Sequence, residues 1–367
     1  MATTTATDLT HDERALSPGA SEHELVLVRK GPRTGAHVIV AVHSTVLGPA
    51  LGGCRLRRYE DLQAAIDDAL RLSSAMTLKA AAAQLRLGGG KSVIFPPEGL
   101  DLAGQGRREL LRDFAEVLDM LDGMYITAED VGTSSEDMAV LAGYSPHVVG
   151  VPAARGGSGD PGGFTAAGVY AAMRACCRQR FGSPELAGHS VTVVGVGHVG
   201  EPLARLLAGA GARLLLADVD DGKRALAEEL GGLWTDPERA LRAESDVLAP
   251  CALGGVIDEA LSVELQAEII CGSANNQLAE PALADVLAAR GVLYAPDFIV
   301  NSGGLINVSL ELTGYDHDVA VARVEGIEGV LGAILERAQD VEVTPLVAAV
   351  ELARERIAAA QSGSAVS

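Results

Sequence analysis

Ser190-Val-Thr-Val-Val-Gly-Val-Gly-His-Val-Gly200 decides the fold. Its first half is a run of mostly β-branched residues, which suits a strand buried on both faces. The run ends in Gly195-x-Gly197-x-x-Gly200, after which Leu203, Leu206 and Leu207 recur at helical spacing. A second apolar stretch, Leu214-Leu-Leu-Ala217, stops at Asp218. Strand, glycine turn, helix, strand and acid, in that order, form the pattern of a dinucleotide-binding βαβ unit. In a chain with 43 glycines the triplet alone would say little, and the elements around it carry the reading. Gly195 serves the tight turn, Gly197 opens the backbone to a pyrophosphate at the helix N-terminus, and Gly200 lets helix and strand pack closely. Asp218 is placed to accept hydrogen bonds from the adenosine ribose. Val219, Asp220 and Asp221 follow it, and no cation comes before Lys223. A 2′-phosphate would therefore meet carboxylates, which favours NAD over NADP. The competing reading is a glycine-rich turn with a helix cap.

Working outward, further strands are expected over 213–217, 247–248, 269–271 and 292–294, with the last two helices starting near Asp316 and Thr344. Thr344-Pro345 puts a capping residue before a proline at the first helical position. Upstream, Arg155-Gly-Gly-Ser-Gly-Asp-Pro-Gly-Gly163 holds five glycines and a proline in nine residues. It suits neither helix nor strand and marks a domain boundary and hinge, with a helix over 164–180 beyond it. Before it, Glu24-Leu-Val-Leu-Val-Arg-Lys30 and Ala36-His-Val-Ile-Val-Ala-Val42 read as a hairpin around Gly31-Pro-Arg-Thr-Gly35. A helix over 59–76 follows. Gly88 to Gly90 then break the chain before a short strand over 92–95, a helix over 107–121 and a strand over 124–127. Helices alternating with short apolar strands indicate α/β architecture. The expected layout is an N-terminal α/β catalytic domain, 1–155, and a C-terminal Rossmann-type dinucleotide domain, 156–339, with a cleft between them. A C-terminal helix, about 340–367, is expected to pack back on the first domain.

Composition narrows the function classes. The 367 residues fit about two domains, and 48% hydrophobic residues exclude a disordered chain. A formal net charge of −20 argues against a nucleic-acid partner or an anionic membrane surface. Cys54, Cys176, Cys177, Cys251 and Cys271 are odd in number and form no C-x-x-C, so reduced thiols in the cytoplasm are expected. The eight histidines do not cluster at metal-ligand spacing, and no metal is expected. No apolar run approaches the ~18 residues of a membrane span. Met1 to Thr10 lacks a basic start followed by an apolar stretch and reads as a loose tail, not a signal peptide.

Two lysines stand out. Lys79 follows Ala75-Met-Thr-Leu at a helix end, and Lys91 follows three glycines before an apolar strand. Two lysines in one apolar cleft would lower each other's pKa through desolvation and like-charge repulsion, making a general base near neutral pH. Alternatively they are surface lysines at element ends. Asp130 follows a strand, where α/β folds collect functional groups, and could exchange protons with a substrate amine or simply cap a turn.

Seven stretches now become specific. They are Leu47-Gly-Pro-Ala-Leu-Gly-Gly53, Met76-Thr-Leu-Lys79, Gly88-Gly-Gly-Lys91, Thr127-Ala-Glu-Asp-Val-Gly-Thr133, Ala249-Pro-Cys-Ala-Leu-Gly-Gly255, Ala274-Asn-Asn-Gln277 and Tyr294-Ala-Pro-Asp-Phe-Ile-Val-Asn-Ser-Gly-Gly304. In this order, from about Glu24 to about Glu355, they resemble the NAD-dependent leucine, valine and phenylalanine dehydrogenases, kin of glutamate dehydrogenase. The resemblance implies reversible oxidative deamination of an L-amino acid to a 2-oxo acid and ammonium, in a homo-oligomer. It implies that Lys79 holds the substrate carboxylate, Lys91 is the base that activates water, and Asp130 manages the amine protons. It brings Gly52 and Gly53 to the substrate carboxylate and Asn276 to substrate or nicotinamide. It adds Thr165, His198, Val199, Cys251, Ala252 and Asn275 to the cofactor-binding residues. By family position Leu51, Met76, Ala128, Leu305 and Val308 line an apolar side-chain pocket, which disfavours glutamate because its γ-carboxylate would lack a partner. Leu305 resembles the phenylalanine type and Ala128 the leucine and valine type. Leu78 stands where a tyrosine is usual, Gln84 where a glycine is usual, and Pro161-Gly-Gly163 is an unusual end to its loop. The expected substrate is Val, Leu or Ile. The alternatives are a phenylalanine or tryptophan dehydrogenase, or a low-turnover protein that binds NAD or amino acids.

Overall fold

The computed structural model describes residues 22–363, so the tail of Met1 to Thr10 lies outside the described residues. The chain divides into two compact units. One comprises the described residues up to Thr77 with Leu87–Val148, and the other Leu78–Arg86 with the described residues from Val149.

The first unit runs β1 (Leu25–Lys30), β2 (His37–Ser44), β3 (Ala50–Leu56), α1 (Leu62–Ala82), β4 (Gly88–Phe95), α2 (Gly104–Met120), β5 (Tyr125–Glu129) and α3 (Ser135–Leu141), the end of α1 grouping with the second unit. Its five strands lie in the order β1-β2-β4-β3-β5. β1 and β2 form the expected antiparallel hairpin, and β3 runs parallel to both β4 and β5. Strand alternation sorts the core. Val38, Val40 and Val42 face Leu110, Phe114 and Leu118 of α2, while Ile39, Ala41 and Val93 meet Ala65, Ala69 and Leu70 of α1.

Two features here differ from the sequence pattern. Gly88, Gly89 and Gly90 do not break the chain; they are the first residues of β4. The stretch around Gly52 and Gly53, which carries no strand signal, is β3 in the sheet interior. The cause is crowding. A Cβ on Gly89 would lie 2.1 Å from the Thr77 backbone nitrogen, and one on Gly90 would lie 2.6 Å from the Tyr125 ring. Glycine is a weak strand former, so propensity hides strands in which close approach of neighbours demands it.

The second unit runs α4 (Gly162–Phe181), β6 (Ser190–Val194), α5 (Gly200–Gly209), β7 (Arg213–Ala217), α6 (Arg224–Glu229), β8 (Leu233–Thr235), α7 (Pro237–Leu241), β9 (Ser245–Pro250), α8 (Glu259–Glu264), β10 (Ala267–Ile270), α9 (Leu283–Ala289), β11 (Leu293–Tyr294), α10 (Asp297–Val300), α11 (Gly303–Ser309), α12 (His317–Glu325), α13 (Ile327–Asp340) and α14 (Pro345–Gln361). Six parallel strands lie in the order β11-β10-β9-β6-β7-β8. The chain winds outward from β6 to β8, then returns to β9 on the other side of β6. This is the doubly wound order of dinucleotide folds, with its switch point between β6 and β9. β8 is an edge strand of three residues, too short to show a period.

Asp316 caps α12 and Thr344 caps α14 as expected, with Pro345 at the first helical position. The sequence pattern misses α13 between them, because that helix starts at Ile327 after Gly326, which has no side chain to cap it. The division between units falls at Val148 and Val149, ahead of the glycine-rich loop. That loop is tied down within the second unit: the Ser158 and Gly150 N–H groups donate to the Glu311 carboxylate at 2.6 and 3.1 Å. In the same unit Arg356 of α14 donates to the Ala81 carbonyl in the last turn of α1 at 3.0 Å. Among the described residues no helix is long and apolar enough to cross a membrane, and no group of three or more His, Cys, Asp or Glu could hold a metal ion.

Candidate active site

In the first unit the candidate groups gather at the Gly52-Gly53 stretch of β3, the first half of β4 and the end of β5. Lys91 is buried on β4, and its Nζ lies 2.7 Å from Asp130 Oδ2. Asp130 sits just past β5, fixed by its own loop. Its N–H donates to Thr133 Oγ1 at 2.9 Å, and Thr133 Oγ1 donates in turn to the Cys54 carbonyl at 2.8 Å. Gly53 pairs with Ala128 in the ladder, and a Cβ there would lie 2.8 Å from the Asp130 Cβ. A Cβ on Gly52 would lie 1.7 Å from the Gly90 carbonyl oxygen. Tyr125 locks this crossing by donating to the Gly52 carbonyl at 2.6 Å, with Ser92 Oγ at 3.0 Å from the same hydroxyl.

Burial lowers the Lys91 pKa below its ordinary value, Asp130 opposes that, and the cation of Arg55 reinforces it. For Asp130, burial pushes upward, but Lys91 and Arg55 outweigh it and hold the carboxyl below the usual carboxylate range. The like charge acting on Lys91 within this unit is thus Arg55, a residue the sequence pattern did not single out. Arg55 Nε lies 3.0 Å from Asp130 Oδ2 and Nη1 lies 2.8 Å from Asp68 Oδ2. Had β3 been legible as a strand, its period of two would have placed Arg55 on the face of Gly53. Leu51 and Ala128 of this unit are buried, and Met76 is half-buried.

In the second unit Lys79 belongs to the last turn of α1. Its Nζ donates to Asn301 Oδ1 at 2.6 Å. Asn301 Nδ2 donates to Asn275 Oδ1 at 2.8 Å and to the Ser273 carbonyl at 3.1 Å. Asn301 therefore joins Lys79 to the Asn275 loop, although the sequence reading gave it no role. Asp297 is buried beside them and accepts from the Gln277 N–H at 3.0 Å. Burial raises its pKa, against the pull of that hydrogen bond and of Lys79. Asn276 has φ +52°, a left-handed conformation that asparagine tolerates. Leu305 and Val308 are buried on α11.

The glycine loop of the same unit is built as the motif requires. Gly195 has φ +96°, and its N–H donates to the Ala217 carbonyl at 2.7 Å. A Cβ on Gly200 would lie 1.8 Å from the Gly195 carbonyl oxygen, so α5 packs tightly under the turn. The same comparison at Gly197 meets only Lys223 Nζ, at 4.0 Å, which leaves its backbone open to approach. Asp218, at the end of β7, accepts from the Val196 N–H at 2.9 Å and the Asp220 N–H at 3.0 Å, and Lys223 Nζ lies 3.2 Å away. Burial would raise its pKa, but these donors lower it, and it stays a carboxylate. Cys251 donates its N–H to the Val194 carbonyl at 2.8 Å, and Ala252 packs against Gly195. Val199 precedes α5, and His198 Nε2 contacts Asp160 Oδ1. Thr165 Oγ1 donates to the Pro161 carbonyl at 2.9 Å at the start of α4. An open loop backbone at a helix N-terminus, with an ionised acid at the end of the next strand, fits a dinucleotide.

A parallel six-stranded sheet of this order, with an open glycine loop after β6 and an acid at the end of β7, defines a dinucleotide-binding fold of the Rossmann type. Two family models match, "Glu/Leu/Phe/Val dehydrogenase, dimerisation domain" over residues 26–146 and "Glutamate/Leucine/Phenylalanine/Valine dehydrogenase" over 217–364. The chain is 42% identical over 337 residues to leucine dehydrogenase of Bacillus subtilis, covering 92% of each. It is 40% identical to valine dehydrogenase of Streptomyces albus over 345 residues, 93% of each. The crystal structure of L-tryptophan dehydrogenase from Nostoc punctiforme superimposes with a TM-score of 0.80 at 37% identity, covering 93% of this chain and 97% of that one. The chain belongs to the Glu/Leu/Phe/Val dehydrogenase family, whose reaction is the oxidative deamination of amino acids.

Proposed function

We propose that this enzyme oxidises an apolar aliphatic L-amino acid (Val, Leu or Ile) reversibly to the 2-oxo acid and ammonium, using NAD. The observation that carries the reading is the buried Lys91–Asp130 pair, 2.7 Å apart. When bound at the Gly195–Gly200 loop, the nicotinamide cofactor supplies the hydride acceptor. The chain's own groups do the rest. Lys79, with the Gly52 and Gly53 backbone, receives the substrate carboxylate, as a fixed cation should. Unprotonated Lys91 Nζ takes a proton from water as the water oxygen bonds to the imine carbon. Asp130 then carries that proton from Lys91 to the amine nitrogen, the C–N bond breaks with its electron pair on nitrogen, and the hydroxyl proton passes to the departing ammonia, so that the carbonyl forms as ammonium leaves.

Apolar Leu51, Met76, Ala128, Leu305 and Val308 support a substrate side chain without charge. Asp218 supports NAD over NADP, because the nearest cation, Lys223, is already paired with it. Asn275 and Asn276, with Thr165, His198, Val199, Cys251 and Ala252, complete the proposed binding groups. Five free cysteines are in keeping with a reducing cytoplasm. The description "dimerisation domain" for the model matching 26–146 supports a homo-oligomer.

A second reading, an aromatic substrate, has specific support in the 40% identity to L-tryptophan dehydrogenase. Initial rates of NADH formation across Val, Leu, Ile, Phe, Trp and Glu decide between them. The first reading expects the highest kcat/KM on an aliphatic substrate and none on Glu. Dominant turnover of Phe or Trp selects the second. No turnover on any, with NAD still bound, would sink both.

A further inference from the structure

Asp130 Oδ2 takes two cations on one oxygen, Lys91 Nζ at 2.7 Å and Arg55 Nε at 3.0 Å. Arg55 is itself anchored, with Nη1 2.8 Å from Asp68 Oδ2. Asp68 is held in turn by the Tyr59 hydroxyl at 2.7 Å and by Arg71 Nη2 at 2.6 Å. The chain of contacts thus runs from α1 through β3 to the loop after β5, and most of it is shielded from water. We propose that Arg55 is a positioning residue of the reaction, which fixes the Asp130 carboxylate and, by meeting its charge, lets Lys91 give up its proton.

The chemistry follows from what each cation can do. A guanidinium keeps its proton at any working pH, whereas an ammonium can lose one. If Lys91 alone faced Asp130, proton loss would strand a buried carboxylate, and the pair would hold the proton tightly. With Arg55 on the same oxygen, Asp130 stays paired when Lys91 becomes neutral. The rigid fork of Arg55 also fixes the carboxylate's direction, because Asp68 holds its other arm. The other titratable groups here stay neutral: burial pushes the Cys54 thiol and the Tyr59 hydroxyl up to about 12, and raises Tyr125 further. The charges facing the pair are therefore Arg55, with Asp68 and Arg71 behind it.

This inference rests on Lys91 being the base, and the test keeps the two claims apart. Initial rates of amino-acid oxidation at saturating NAD are measured across pH for the full-length enzyme and for Arg55→Gln and Arg55→Lys. Lys91 must be neutral to act, so kcat/KM rises with pH along an acid limb. Losing the Arg55 charge makes Lys91 hold its proton to higher pH, so in Arg55→Gln that limb should move up by about one pH unit. Activity lost near pH 7.5, about tenfold, should be largely regained at alkaline pH. Arg55→Lys should restore the limb position, with kcat a few-fold low because one ammonium cannot span both carboxylates. An equal loss at every pH in Arg55→Gln, or no change at all, overturns the proposal. If Arg55→Gln does not fold by circular dichroism, Arg55→Lys decides: a wild-type limb with at least a tenth of the rate supports the proposal, and inactivity at every pH refutes it. A wild-type enzyme that turns over no amino acid sinks the dehydrogenase reading instead.

Discussion

Glycine sits inside strands β3 and β4 of the first unit, but at the end of a strand, in a loop, in the second. In the first, Gly52, Gly89 and Gly90 are needed because another backbone or ring lies where a side chain would go. In the second, Gly195 is needed for its left-handed φ, while Gly197 leaves room. Charge divides in the same way. The first unit buries Lys91 against Asp130 and Arg55, and the second leaves Asp218 at a strand end held by backbone N–H groups. On the proposed function one unit tunes protonation and the other cradles a ligand, and variants in each unit can break or sharpen that division.

The largest expected effect is chemical. Lys91→Ala should cut kcat by about 10²–10⁴-fold, the range general acid–base groups supply. NAD affinity, measured by quenching of the single Trp or by calorimetry, should stay within a few-fold. Equal loss of both would mean that Lys91 supports the fold and that chemistry and cofactor binding are not divided between the units.

Next comes the contrast between the two kinds of glycine. Gly89→Ala should destabilise the protein by about 3 kcal/mol, at the upper end for overpacking, because the clash at 2.1 Å is with Thr77 backbone and cannot rotate away. Gly197→Ala should leave stability within about 0.5 kcal/mol, as for an open surface position, and weaken NAD binding instead. Urea midpoints with a calorimetric Kd for each variant test this. A stable Gly89→Ala would remove the crowding account of β4.

A smaller effect is expected at Asp218. Asp218→Asn should lower kcat/KM for NAD by about tenfold, since hydrogen bonds to a charged acceptor contribute ~1.5–3 kcal/mol. It should narrow the preference over NADP. Equal kcat/KM for NAD and NADP in the wild type would contradict the role given to this acid and make Lys223 a phosphate partner.

The same contrast explains what the residues alone reveal. The dinucleotide half was readable because its glycines interrupt a strongly apolar, β-branched strand at a spacing with a mechanical meaning. Gly195, Gly200 and Asp218 stand as that pattern requires. In the first unit the same residue type means the opposite, so β3 went unread and Gly88 to Gly90 looked like an interruption. Arg55 was hidden with β3, since without a strand there is no period to say which face it takes. Asn301 was hidden for another reason. Its contact with Lys79 spans 222 residues of sequence, and no local pattern encodes such a pairing. Without the family resemblance Lys91 and Asp130 read as oddly placed charges, and their ion pair is a product of the sheet register.

The smallest effect tests whether positive φ is always met by glycine. Gln84 has φ +57°, although the resemblance to the family puts a glycine there. The local bonds show why: Leu85 N–H donates to the Ala80 carbonyl at 3.0 Å and Gln84 N–H to the Ala81 carbonyl at 3.1 Å. These are the two bonds of a Schellman motif ending α1, with Gln84 at the left-handed position. A side chain there costs roughly 1–2 kcal/mol, while glycine would stabilise the unfolded chain by up to about 1 kcal/mol through its extra entropy. Gln84→Gly should therefore gain about 0.5–1 kcal/mol, a rise in Tm of about 1–3 °C, with kcat unchanged. Lys79 sits five residues earlier on the same helix end, so a gain in stability that also lowered KM for the amino acid would show that strain at Gln84 reaches Lys79, the proposed partner of the substrate carboxylate. A loss of stability would mean that Gln84 makes contacts worth more than its backbone strain.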